Sequence, residues 1–282
     1  MTTGDPIPAG FKAEKFHRAT ITSRHDFSAE LWAIRIDPGA EFHFLPGQYA
    51  TLGVQADAQA NPRPIERPYS IVSSPEEPDL EFFFELVPQG ELTPWLYKLH
   101  PGDQLWMRKS AKGRFMLEIH DVPGETSSAP APSPRNKHLL ISTVTGVAPF
   151  VSYIRTLHRH WRQNKYPGEH KLYLLDGASR SWELAYRDEI SKIAAEVPWL
   201  TYVSTVSRPW EDQEWKHEVG RVDDLVRKYC DQWEMTAENT TAYLCGHPEM
   251  ISHTRGILQR RGLSKQAVKE EIYWIPPKPT KG

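Results

Sequence analysis

Up to residue 121, apolar positions come in short bursts, and the stretches 15–22, 29–36, 49–54, 69–72, 80–87 and 104–107 each have the length of a strand. Pro38-Gly39, Pro46-Gly47, Asn61-Pro62 and Pro101-Gly102 punctuate them. Short strands separated by such turn signals predict an antiparallel sandwich or barrel. One helix is expected over 92–99, with Thr93 placed to cap it and Pro94 in its first turn.

From residue 138 the rhythm changes to strands alternating with helices. The stretches 138–143, 171–175, 200–206 and 241–245 are compact apolar strands. Phe150, Ile154, Leu157 and Trp161 recur at helical spacing between the first two, and Tyr186, Ile190, Ile193 and Val197 do so between the next two. This alternation predicts a parallel sheet with helices on both faces, a fold that binds nucleotides outside the carboxyl ends of its strands. Residues 122–137 are rich in Pro and Ser and read as a linker or surface loop. The expected organisation is an N-terminal segment 1–14, a β domain 15–121, the linker, an α/β domain 138–274 and a tail 275–282.

Bulk properties narrow the chemistry. The chain has 282 residues, near the length at which one core divides into two domains. A formal net charge of −2 supplies no global basic field, so nucleic acid is not an expected partner. No apolar run reaches the ~20 residues of a membrane span. Met1 to Gly10 lacks the pattern of a secretory signal, so a cytoplasmic protein is expected. The 2 cysteines cannot ligate an ordinary iron–sulfur cluster, and the 12 histidines form no metal-site pattern. Redox chemistry here would need an organic cofactor.

Several segments carry candidate chemistry, each with a plainer reading. Ser142-Thr143-Val144-Thr145-Gly146 joins a strand to a helix, where backbone N–H groups could face a pyrophosphate; otherwise it is an ordinary turn. Arg180, Arg208 and Arg221 follow strands and could converge on a phosphate, although a lone arginine is usually a solvated surface residue. Arg67-Pro68-Tyr69-Ser70 sets a cation, an aromatic ring and a hydroxyl along one strand, with Arg67 and Tyr69 on one face and Ser70 on the other. Without a ligand, this is a half-buried strand bearing an exposed arginine. Cys245-Gly246-His247-Pro248 closes a strand and opens a helix, and Glu271-Ile272-Tyr273-Trp274 reads as a simple edge strand.

Taken in order, these segments resemble the plant-type ferredoxin–NADP reductase family, and within it the bacterial ferredoxin/flavodoxin–NADP reductases. The similarity runs from about Lys15 to Trp274 through Arg67-Pro-Tyr-Ser70, Gly90-Glu-Leu-Thr93, Thr145-Gly-Val-Ala-Pro149, Glu183-Leu-Ala-Tyr186, Ser207-Arg208, Gly220-Arg221, Cys245-Gly-His-Pro248 and Glu271-Ile-Tyr-Trp274. The resemblance implies an antiparallel FAD-binding β-barrel followed by a doubly wound parallel-sheet NADP-binding domain. It implies hydride transfer from NADPH to FAD and single-electron transfer to ferredoxin or flavodoxin, in a monomer or weak dimer. By that resemblance, Arg67 and Pro68 lie at the FAD phosphate, Tyr69 stacks on the flavin, and Ser70 hydrogen-bonds near its reacting nitrogen. Glu91, Leu92 and Thr93 hold the pyrophosphate. Thr145 and Gly146 lie where both nucleotides meet. Ser207, Arg208 and Arg221, with Arg180, read the 2′-phosphate of NADPH. Cys245 and Gly246 flank the nicotinamide, Tyr273 and Trp274 pack on FAD, and Ser70, Cys245 and Glu271 surround the reacting atoms.

The chain departs from the family pattern at three places. Val144 stands where the family loop has glycine, Arg180 comes one position late and leaves Ser179 at the matching place, and residues 275–282 follow the aromatic pair. Two rival readings are a stand-alone oxygenase reductase component and a non-catalytic flavoprotein, either an electron-transfer subunit or a redox sensor.

Overall fold

A computed structural model describes residues 14–56, 63–119 and 135–273. The N-terminal segment, most of the Pro/Ser-rich stretch, Trp274 and the tail 275–282 lie outside the described residues. The chain divides between Met116 and Leu117 into two compact units.

The first unit is a six-stranded antiparallel sheet in the order β4-β3-β6-β1-β2-β5. Its strands are β1 Phe16–Asp26, β2 Leu31–Asp37, β3 Tyr49–Ala56, β4 Arg63–Ser70, β5 Leu80–Glu85 and β6 Gln104–Arg108. The two terminal strands meet at a bridge between Ile71 and Phe82, and the Val72 N–H donates to the Glu81 carbonyl at 2.8 Å, so the sheet closes on itself. Trp32, Ile34 and Ile36 from β2, Leu52 from β3, and Phe82 and Phe84 from β5 fill the interior. Closure leaves few bare strand edges and gives these side chains a common core.

β4 begins six residues earlier than the pattern suggested. Pro64 and Pro68 in its sequence read as loop, but a strand at the end of the hydrogen-bonded order tolerates residues without an N–H. The helix expected over 92–99 shrinks to α1, Thr93–Leu96. Thr93 is its first residue, not its cap. The hydroxyl is engaged with Val87, accepting from its N–H at 3.0 Å and donating to its carbonyl at 3.2 Å.

The second unit is a six-stranded sheet in the order β10-β9-β8-β7-β11-β12, with every neighbouring pair parallel. Its strands are β7 Lys137–Thr143, β8 Lys171–Ala178, β9 Leu200–Val206, β10 Glu218–Val219, β11 Thr240–Gly246 and β12 Val268–Ile272. Helices α2 Ala148–Arg162, α3 Arg187–Glu196, α4 Val222–Gln232 and α5 Pro248–Arg260 connect them. β11 is buried at all seven positions, as a central parallel strand should be. Of the residues that the periodicity selected, α2 buries Phe150, Ile154 and Leu157 and leaves Trp161 half-buried, while α3 buries Ile190 and Ile193, with Tyr186 and Val197 buried just beyond its ends. From β7 the chain builds outward through β8 and β9, then returns to the other side of β7 with β11. The strand order therefore reverses between β7 and β11, the kind of point at which such sheets bind ligands.

Candidate functional site

The sequence-derived candidates form two groups, one in each unit. In the first, strand register pairs Leu52 with Arg67, Ala50 with Tyr69 and Tyr49 with Ser70. Arg67 and Tyr69 thus share the face that Leu52 and Ala50 turn toward the core, and Ser70, itself buried, lies on the opposite one. The Tyr69 ring packs edge-on against Phe84 at 4.8 Å between centroids, and Phe84 stacks on Trp32 at 5.3 Å. Two chi angles and an aromatic wall fix the Tyr69 plane. Arg67 is exposed and salt-bridged to Glu91, which brings the β4 motif and the 90–93 turn together. Leu92 anchors that turn with 2% exposure, and Gly90 passes so close to Val87 that an added β-carbon would sit 3.0 Å from its carbonyl oxygen.

In the second unit the candidates line the carboxyl ends of the parallel strands. After β7 the chain enters a tight 3-10 turn, Val144–Val147, and then α2. Val144 adopts φ +47°, the left-handed region in which glycine is at ease and a β-branched residue is strained. The glycine that the resemblance leads one to expect here would have a backbone reason, and this chain adopts the conformation with valine. Gly146 lies against the end of β11, where a β-carbon would meet the Cys245 carbonyl oxygen at 2.2 Å. Gly246, at φ +130°, answers it: a β-carbon there would meet Thr143 Oγ1 at 2.2 Å. That same Thr143 oxygen accepts the His247 N–H at 2.8 Å, fixing the start of α5 against the loop. Two bare backbones therefore cross at the topological switch point.

Cys245 is fully buried, paired in register with Glu271 on β12. Burial, joined by the Glu271 charge, pushes its thiol well above the usual range, while a hydrogen bond with the Tyr273 side chain pulls the other way. Cys245 is thus a neutral thiol at neutral pH. Tyr273 itself is 41% exposed.

The arginines do not all converge. Arg180 and Arg208 meet through one carboxylate, Glu211, with Arg180 Nε donating to it at 2.5 Å and Arg208 Nη1 lying 3.8 Å away. Arg180 also reaches Glu183 at 3.0 Å, so its late placement in the sequence does not remove it from the group. Arg221 pairs instead with Asp223 at 3.3 Å and Glu249 at 3.9 Å. Ser207 is tied to the end of β8 by its N–H, which donates to the Ala178 carbonyl at 3.0 Å.

The sequence reading named Glu183 only as the start of a motif and gave Glu183, Glu211 and Asp176 no role in the site. The two glutamates lie in short 3-10 turns, where apolar spacing gives no signal. Asp176 is buried in β8, accepting from Ser142 Oγ at 2.8 Å and Tyr202 Oη at 3.2 Å. Burial raises its carboxyl to about 7.

A family model described as the oxidoreductase NAD-binding domain matches residues 140–256. The ferredoxin–NADP reductase of Pseudomonas aeruginosa is 32% identical over 260 residues, which cover 86% of this chain and 89% of that protein. The flavodoxin/ferredoxin–NADP reductase of Escherichia coli is 27% identical over 217 residues, covering 75% of this chain and 77% of the relative. Among solved structures, a ferredoxin NADP+ reductase from Neisseria gonorrhoeae with bound FAD and NADP superposes with a TM-score of 0.74 at 21% identity, over 92% of this chain and 99% of that one. Both units therefore have the fold anticipated from the sequence, an antiparallel barrel-like sheet and a doubly wound parallel sheet.

Proposed function

The chain belongs to the ferredoxin–NADP reductase family, and from that premise we propose that it is an FAD-dependent reductase that exchanges hydride with NADPH and single electrons with a ferredoxin or flavodoxin. The observation that carries this reading is the crossing of Gly146 and Gly246 at the switch point, beside Cys245, in a chain whose first unit holds Arg67, Tyr69 and Ser70 on one strand.

The first unit's donor set suits a flavin dinucleotide. A cation, an oriented aromatic plane and a buried hydroxyl match a phosphate, a flat ring system and a ring nitrogen. Arg67 would exchange Glu91 for phosphate, Tyr69 would cover one ring face, and Ser70 would hydrogen-bond the ring. FAD, when bound, supplies the capacity to accept a hydride and release its electrons one at a time.

The remaining work belongs to the protein. The 3-10 turn after β7 offers backbone to a pyrophosphate, and Arg180, Arg208 and Ser207 offer donors to a 2′-phosphate. Cys245 gives the nicotinamide a small, uncharged, water-excluding surface. Glu271, half-buried on β12, would contribute its charge beside Cys245, its partner in register. Tyr273 is the aromatic that the resemblance sets on FAD.

The reading is tested by purifying the protein and releasing its flavin by denaturation. Non-covalent FAD is expected, with steady NADPH oxidation coupled to ferredoxin or flavodoxin reduction. Arg67→Ala should release FAD more readily, by roughly tenfold or more for a lost charge-assisted hydrogen bond of about 1.5–3 kcal/mol. A colourless protein that cannot be reconstituted with FAD would overturn the assignment.

A further inference from the structure

The loops leaving β8 and β9 are laced together by backbone. Besides the Ser207 bond, the Arg208 N–H donates to the Ser179 carbonyl at 2.9 Å. The lacing holds together the loop ends that carry Arg180 and Arg208. A short 3-10 turn, Pro209–Glu211, then folds the chain back so that Glu211 reaches both. One of its oxygens, Oε2, accepts from Arg180 Nε at 2.5 Å, and the other, Oε1, lies 3.8 Å from Arg208 Nη1. The side chains of Arg180, Arg208 and Glu211 are 30%, 47% and 32% exposed, so an incoming anion can reach them.

A carboxylate with one oxygen toward each guanidinium imitates the way a phosphate would bridge the same pair. We infer that Glu211 is a built-in competitor for the 2′-phosphate of NADPH. Its carboxylate occupies Arg180 and partly neutralises Arg208 while the nucleotide is away, and the phosphate must displace it. This rests on the NADPH reading of Ser207 and Arg208.

The consequence is a tuned selectivity. NADPH has to expel a carboxylate that NADH, lacking the 2′-phosphate, leaves in place. Glu211 therefore weakens NADPH without weakening NADH and narrows the preference between them. The arginine does not collapse when Glu211 is neutralised, because Glu183 holds Nη1 at 3.0 Å and the guanidinium lies 5.8 Å over the Trp182 ring.

The test compares 2′-AMP with 5′-AMP, two isomers of equal charge, by calorimetry on the FAD-loaded protein and its Glu211→Gln and Glu211→Ala variants. Both variants should bind 2′-AMP about three- to tenfold more tightly, a modest gain because the pair is partly screened by water. Affinity for 5′-AMP should stay within a factor of about two. Unchanged or weaker 2′-AMP binding in both variants overturns the inference and makes Glu211 a support for the arginines. Equal tightening of both isomers also overturns it, as a general charge effect. If the unmodified protein neither binds 2′-AMP nor oxidises NADPH, the NADPH reading itself falls and takes this inference with it.

Discussion

A β-carbon on Gly146 would sit 2.2 Å from the carbonyl oxygen of Cys245. The obstacle is backbone of a buried central strand, so no side-chain rotation relieves it. Gly146→Ala must push the turn after β7 away from β11. The expected outcome is a loss on the order of 1–3 kcal/mol in stability, the range for overpacking a well-filled site. The turn after β7, proposed to hold the nucleotide, moves with it, so the Michaelis constant for NADPH should rise more than that for an artificial electron acceptor. Thermal unfolding and steady-state kinetics check both; an unchanged melting point would mean that the two backbones are not in contact.

Val144 makes the opposite prediction. Holding a β-branched residue at φ +47° costs on the order of 1–3 kcal/mol. Glycine relieves that strain and gives back roughly 0.5–1 kcal/mol through its freer unfolded state. Val144→Gly should therefore stabilise the protein by about 1 kcal/mol, where glycine in an ordinary loop position would weaken it. A denaturant titration that shows a clear loss would contradict the left-handed conformation.

Asp176 gives the fold a pH dependence. Its carboxyl titrates near 3.8 when solvated and about 7 in the folded chain, because burial outweighs the Ser142 and Tyr202 hydrogen bonds. The unfolded chain thus releases this proton first as pH rises. Stability from this group is greatest below about pH 4, falls between about 4 and 7, and levels off above. The size is on the order of a few kcal/mol. Asp176→Asn should flatten that decline. Stability curves of the two proteins that run parallel from pH 4 to 8 would show that the carboxyl ionises freely in place.

Neither cysteine should react. Cys245 and Cys230 are both fully buried; burial lifts Cys230 to about 11 and Cys245 well above its usual value. At neutral pH almost no thiolate is present to attack an electrophile. Native protein treated with iodoacetamide should keep both thiols, and denatured protein should lose both. Mass spectrometry reads the result, and prompt labelling of Cys245 in the native state would place a reactive nucleophile in the site.

Much of this was legible in the sequence, and what was not has physical causes. Strand β9, Leu200–Val206, and the buried faces of α2 and α3 follow directly from apolar spacing. Apolar spacing ends β8 at Leu175, because Asp176 and Gly177 supply no apolar side chain. The strand runs on to Ala178, since bare Gly177 lets Val222 pack against it: a β-carbon there would lie 2.6 Å from that side chain. Asp176 lies in that part of the strand, beyond the apolar run. Arg180 and Arg208 were found by their place after strands, but nothing in spacing shows that Glu211 returns through a 3-10 turn to join them. Ion pairs across loops depend on tertiary placement, which periodicity does not encode.

The central claim is that this chain moves electrons from NADPH through bound FAD to a one-electron carrier. Mixing the FAD-loaded protein with NADPH under anaerobic conditions, in a stopped-flow instrument, tests it most directly. The flavin absorbance should bleach rapidly with NADPH and more slowly with an equal concentration of NADH. It should then return when oxidised ferredoxin or flavodoxin is added. A flavin that NADPH does not reduce, or one that is reduced but cannot pass electrons to either carrier, would contradict the account.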